Sequence, residues 1–210
     1  MMRRNKQDKR AYHHGNLAES LLEAVDELAT RFGLEAVTLR GCARLVGVSP
    51  SSAFRHYADK RALLTAFATR ALRQLAEAME TAAVQAERSG GNPFRAVGLA
   101  YIEFALDRPA LFRAMWHEET IYSGDEDYVA AANALSAHLR GGFASTIEDD
   151  NPEHFSPQEL LAWSAVHGLA GLFVDGPVAK DESKDEKMAR AAQMLQVMAP
   201  ALASASDQRR

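Results

Sequence analysis

Thr38–Lys60, TLRGCARLVGVSPSSAFRHYADK, decides how the rest of the chain is read. Thr38 is a good N-cap for a short helix whose apolar face is Leu39, Cys42, Ala43 and Val46. Gly47 stands where that helix needs a left-handed residue to stop. Ser49 and Pro50 then repeat the start signal, an N-cap followed by proline at the first helical position. The second helix is short, about Pro50 to Tyr57, with Ala53, Phe54 and Tyr57 available for packing. Two short helices joined by a glycine-containing turn make a helix-turn-helix, whose second helix enters the DNA major groove. Spacing alone also fits an ordinary helical hairpin. The side chains left on the outside are Pro50, Ser51, Ser52, Arg55 and His56. Hydroxyls, a guanidinium and an imidazole are groups that reach phosphates and base edges.

Working outward, Leu17, Leu21, Val25, Leu28 and Phe32 recur every three or four residues, with Leu22 and Ala29 widening the stripe, and Gly33 ends that helix. Its other face carries Glu19, Glu23, Asp26 and Glu27, which phosphate repels, so this helix is scaffold and not reader. Asp59 is placed to cap a long helix from Lys60 to about Arg88, striped by Leu63, Leu64, Phe67, Ala71, Leu75 and Met79. Lys60 and Arg61 lie in its first turn, where a phosphate accepts from backbone N–H groups and pairs with Lys60.

The same residues carry a family resemblance. From Tyr12 to about Ala71 the chain resembles the DNA-binding domain of the TetR (tetracycline-repressor) family of bacterial regulators. The matching residues are GNLAESLLEAVDELATRFG, Thr38-Leu39-Arg40, Gly47-Val48-Ser49, Phe54-Arg55-His56-Tyr57, Asp59-Lys60 and Leu63-Leu64. Further on, AYIEFALDRPALFRAMW and Trp163-Ser-Ala-Val-His167-Gly168 resemble the branch with a Trp–His–Gly mark in its penultimate helix. The resemblance implies an all-α homodimer that represses promoters and is released from DNA by a small molecule. It departs at Phe54, where the family usually has a tyrosine able to hydrogen-bond phosphate, and at Gly41, which weakens the first short helix by up to ~1 kcal/mol relative to alanine.

Charge is divided along the chain. The net charge is −4, yet residues 1–64 carry +4 and the remainder −8. An acidic protein with one basic end is the balance expected when only that end meets phosphate. Residues 1–11 hold five basic side chains, one acidic one and nothing to bury. They read as a disordered arm, either a solubilising tail or a strand of charge (Arg3, Arg4, Lys6, Lys9, Arg10) along the DNA.

Beyond Ser89-Gly90-Gly91-Asn92-Pro93, the clearest break, the pattern stays helical. Helices are expected over about 93–106, 109–116, 126–146, 157–174 and 183–198, with an acidic loop at 148–153 and a stop at Pro200. The domain plan is a basic arm (1–11), a three-helix reading domain (12–62), a helical regulatory and dimerisation domain (63–202) and a disordered tail (203–210). Gly168 and Gly171 are expected to allow a close helix approach, and the last two long helices to pair across a homodimer.

Catalysis finds no support. His117-Glu118-Glu119 lacks the second histidine four residues on, and the chain has neither a glycine-rich phosphate loop nor GxSxG. His13-His14 lack a third ligand at usual spacing, so no metal and no cofactor is assigned. Cys42 is a lone core cysteine, which fits a reducing compartment. With no apolar run of eighteen residues, a soluble cytoplasmic protein is expected.

The sequence-based assignment on DNA, a palindromic operator, is Thr38 and Arg40 to the backbone, with Pro50, Ser51, Ser52, Arg55 and His56 along the groove. Phe54 is a packing or thymine-methyl contact, and Lys60 holds a phosphate. An apolar or aromatic effector is assigned to Phe104, Met115, Trp116, Trp163 and His167, because both tryptophans fall on segments expected to face inward. The alternative is a DNA-binding dimer without inducer, architectural or regulated by a partner protein. A cavity of several hundred Å3 in the regulatory half separates the two, since an apolar pocket and an apolar core use the same residues.

Overall fold

A computed structural model describes residues 16–140 and 155–207; within these, the side chains of Glu118, Arg140 and 200–207 are not described. The basic arm, His13-His14, the acidic loop at 148–153 and residues 208–210 lie outside the described residues. The described chain is helical and holds no strand.

Helix α1 (Leu17–Phe32) starts at Asn16, whose side chain accepts from Glu19 N at 3.3 Å. Leu21 and Val25 on its inner face are fully buried. Phe32, expected on that stripe, is instead 66 % exposed: it is the last residue before Gly33 turns the chain away at φ 82°, past the turns its neighbours cover. A 3-10 turn (Leu34–Ala36) leads to α2 (Leu39–Val46) and α3 (Pro50–His56). Thr38 Oγ1 caps α2 at Gly41 N (3.0 Å), Gly47 stops it at φ 81°, and Ser49 caps α3. Cys42, Ala43 and Ala53 are fully buried between α1, α2 and α3. Burial drives the Cys42 thiol up to about 11, which leaves it protonated and inert.

Gly41 is better explained by packing than by helix propensity. A Cβ there would stand 3.0 Å from Thr38 Oγ1 and 3.5 Å from Leu28 Cδ1, so the missing methyl makes room for the cap.

Asp59 Oδ1 accepts from Ala62 N at 2.7 Å and opens α4 (Lys60–Arg88), 29 residues and about 43 Å long. Around α4 pack α5 (Pro93–Asp107), α6 (Pro109–Met115) and α7 (Glu126–Arg140); α8 (Pro157–Val174) and α9 (Lys184–Asp207) lie against α5. Ser156 and Glu159 form a reciprocal capping box at the start of α8. One boundary differs from expectation, and the expected end of the 126–146 helix lies outside the described residues. Helix α7 is described only to Arg140, where the described segment ends. Helix α9 runs through Pro200 to Asp207, so residues 203–207 are helical and not part of a disordered tail; proline removes one i→i−4 hydrogen bond without ending the helix.

Within the protomer a close helix approach is made at Gly98. A Cβ on Gly98 of α5 would lie 3.0 Å from Leu195 Cδ2 and 3.5 Å from Val166 Cγ2, so α8 and α9 both seat there. Gly168 and Gly171 face open space, with nothing within 4 Å of an added Cβ.

Candidate nucleic-acid interface

Helix α3 is held from behind by Ala53 and by Tyr57, whose phenol donates to Ala18 O of α1 at 3.3 Å. Its other side is open. Pro50, Ser51, Arg55 and His56 are exposed, Ser52 is half-buried, and Phe54 is 44 % exposed, on the outside and not in the core. Ser49 Oγ lies 2.9 Å from the hydroxyls of both Ser51 and Ser52, and Arg55 Nη2 donates to Ser52 Oγ at 3.2 Å. Ser52 holds the guanidinium against the helix while its remaining donors stay available. Thr38 and Arg40 are exposed beside them. The Thr38 oxygen is used as an acceptor by Gly41 N, but its proton is still available to a phosphate.

Lys60 and Arg61 separate. Lys60 Nζ donates to Glu35 O at 2.9 Å, a contact spacing does not suggest, and keeps two further protons. Arg61 turns away from α3: its Nε donates to Ile121 O at 2.7 Å and its guanidinium sits 4.6 Å above the Tyr122 ring. Tyr122 N in turn donates to Thr65 Oγ1 at 2.8 Å. The loop before α7 is thus tied to the first turns of α4. Ion pairs Glu19–Arg70 (2.7 Å) and Asp26–Arg108 (3.9 Å) add two more ties between α1 and the regulatory half.

In the regulatory half, Trp116, Trp163 and His167 do come together, with ring centroids 5.9 Å apart for the two indoles and 4.7 Å for Trp116–His167. Tyr101, Phe112 and Phe155 complete the cluster, and sequence reading missed all three because they lie on three separate segments. Tyr101 Oη is 2.9 Å from His167 Nδ1. Burial raises the phenol far above its usual range and lowers the imidazole below its own, so both are neutral at pH 7. Phe104 and Met115 are buried in the core. The cavity beside Tyr101 and Trp163 measures about 30 Å3, room for one water. Among the described residues the buried indole N–H of Trp116 has no acceptor, while that of Trp163 lies near the Tyr101 hydroxyl without an aligned hydrogen bond.

Among the described residues, no group of His, Cys, Asp or Glu is placed to hold a metal, and no helix is long and apolar enough to cross a membrane. Residues 21–67 match the family model of bacterial regulatory proteins of the tetR family, and residues 94–205, over half the chain, match the tetracyclin repressor-like C-terminal domain. The chain belongs to the TetR family. It is a helix-turn-helix transcriptional regulator and not an enzyme.

Relatives agree. An uncharacterized HTH-type transcriptional regulator, YobS of Bacillus subtilis, is 26 % identical over 100 residues, 48 % of this chain and 51 % of YobS. The chain thus spans about half the length of that curated relative. A protein of unknown function from Rhodococcus sp. RHA1 is 28 % identical with TM-score 0.66, covering 87 % of this chain and 95 % of that one. A tetR-family regulatory protein from Rhodococcus RHA1, at 18 % identity and TM-score 0.57, shares the fold over 84 % of this chain and 93 % of its own.

Proposed function

We propose that this TetR-family regulator is a repressor, bound as a homodimer to a palindromic operator and released by a small aromatic effector. The single observation that carries the DNA assignment is the open face of α3, buried only through Ala53 and Tyr57. On it Ser51, Ser52, Arg55 and His56 read the groove, Pro50 and Phe54 pack along it, and Thr38, Arg40 and Lys60 hold the backbone. Phosphate contacts set affinity and register, and base-edge contacts set sequence preference.

Dimerisation through α8 and α9 follows from what those helices leave bare. From Leu160 to Val174 only Ser164 and His167 are polar, so α8 is apolar on every side. A helix apolar all round is a buried helix. Within the protomer one side is covered, while Leu160, Leu161 and Leu172 stay 44–52 % exposed along the line of Ser164 and Gly168. Val197 of α9 is 78 % exposed. A second copy covers such a face in a four-helix interface.

Effector control rests on the aromatic cluster. The buried indole N–H of Trp116 has no acceptor among the described residues, which costs about 1–3 kcal/mol that a ligand carrying an acceptor recovers. The second reading, a dimer without inducer, is favoured by the 30 Å3 cavity, which an effector has to enlarge by moving side chains. Tryptophan fluorescence titrated with aromatic acids and amides, with and without operator DNA found by footprinting, decides between them. Coupling is reciprocal, so DNA has to weaken effector binding by the factor by which effector weakens DNA. A ligand that quenches equally in both conditions rejects the switch.

A further inference from the structure

A cleft of about 510 Å3 lies at the joint of the reading and regulatory halves, away from the aromatic cluster. Its floor is α4, one wall is α1 with Tyr57, and the other is the Tyr122–Asp127 segment. The volume falls within the range of small-molecule sites.

Arg70 is the group this cleft leaves unfinished. It is only 20 % exposed, and its Nη1 lies 2.7 Å from Glu19 Oε1. Yet Nη1 and Nε are both buried without an aligned hydrogen-bond acceptor. The ion pair supplies charge and leaves N–H directions unmet, a costly state for a buried guanidinium. Besides the Gln74 amide and the guanidinium of Arg73, the other side-chain donors in the walls are hydroxyls, and these are committed. Tyr57 donates to Ala18 O, Thr65 to Arg61 O and Thr69 to Thr65 O.

The rim has the opposite need. Arg73 is paired with Asp127 at 2.7 Å, and Asp125 Oδ1 accepts from Tyr128 N at the start of α7. Glu77 is exposed and makes no ion pair among the described residues. Four carboxylates, those of Glu19, Glu77, Asp125 and Asp127, face two guanidiniums, so the cleft is negative overall. A simple anion is repelled by that field, and a simple cation leaves Arg70 unmet.

We propose that this cleft is a second ligand site, for a small zwitterion with separated ends: a carboxylate taken by Arg70 and an ammonium taken by Glu77 and Asp125. An occupant touches Tyr57, the C-cap of α3, and Tyr122, which bonds Asp59, so it bears on the reading helix without passing through the aromatic cluster. That consequence for DNA rests on the regulator reading above; the binding itself does not.

The test is NMR titration of the 15N-labelled full chain with 6-aminohexanoate, using cadaverine and pimelate as controls of equal chain length. The expected result is saturable shifts of the Arg70 Nε–H and of the Tyr57, Thr69 and Tyr122 amides. Binding weakens at least about tenfold for either control and for Arg70→Lys, and several-fold for Glu77→Gln. No saturation by about 10 mM overturns the proposal. So does cadaverine or pimelate binding as tightly as 6-aminohexanoate, or affinity unchanged in Glu77→Gln, an exposed position that decides the matter should Arg70→Lys fail to fold. The assay contains no DNA, so its failure leaves the regulator reading standing. Loss of operator binding in a separate gel shift leaves the cleft standing.

Discussion

The Tyr122 phenol donates to Asp59 Oδ2 at 2.7 Å while Asp59 Oδ1 caps α4 through Ala62 N at the same distance. One carboxylate thus ends the helix-turn-helix, starts the long helix and anchors the loop of the regulatory half. The Ala62 N–H and then the Tyr122 hydroxyl hold that carboxyl below the usual aspartate range. Movement of the loop before α7 therefore reaches the start of α4 within one hydrogen bond.

Removing that bond tests the joint. Tyr122→Phe is expected to speed amide exchange in the first turn of α4, at residues 62–64, and to leave the protein folded. Asp59→Ala is expected to speed it further, because the cap goes as well. Equal exchange in wild type and Tyr122→Phe sinks the role given to Tyr122.

On DNA, Lys60→Ala is expected to weaken binding to all sequences and to flatten the slope of log K against log salt by roughly one unit. Its bond to Glu35 O orients the ammonium without neutralising it. A gel-shift series with unchanged slope removes Lys60 from the phosphate ligands. Arg55→Ala, by contrast, is expected to cost about 1–3 kcal/mol at particular base pairs and little on random DNA.

Gly98→Val is expected to destabilise the fold by about 1–3 kcal/mol, since Leu195 and Val166 already fill the space its side chain needs. A chemical-denaturation midpoint equal to wild type contradicts the seating of α8 and α9 on α5.

At Gly41 the expectation reverses the propensity argument. Alanine there gains up to ~1 kcal/mol of helix propensity but crowds Thr38 Oγ1 from 3.0 Å, so Gly41→Ala is expected to fall well short of that gain. A thermal midpoint raised by the full amount disproves the crowding.

His167 makes stability depend on pH. Burial depresses its folded pKa below the ordinary value of 6.5, so at mildly acid pH the unfolded chain binds more protons than the folded one. Its contribution is fully present above about pH 6.5 and is lost as pH falls from there toward the folded pKa. Denaturation of His167→Gln is expected to show a shallower loss over that window. A parallel slope in the two proteins points to another group.

Much of this protein is written locally. Asn16, Thr38, Ser49, Asp59 and Ser156 cap the helices they precede, and Gly47 takes the left-handed conformation, because caps and stops are decided by a few neighbouring residues. The open side of α3 was legible at Pro50, Ser51, Arg55 and His56, since amphipathic spacing shows which side a helix buries, but Phe54, available for packing by spacing, lies outside. Tertiary structure alone decided what depends on segments far apart in the chain. Which glycine admits a neighbouring helix was one such matter: Gly98 does, while Gly168 and Gly171 look outward. Arg61 turned to Ile121 and Tyr122, sixty residues on, instead of toward phosphate. Tyr101, Phe112 and Phe155 joined the tryptophans from three separate segments. Periodicity tells that a side chain points inward. Only the packing of one helix against another tells what it meets there.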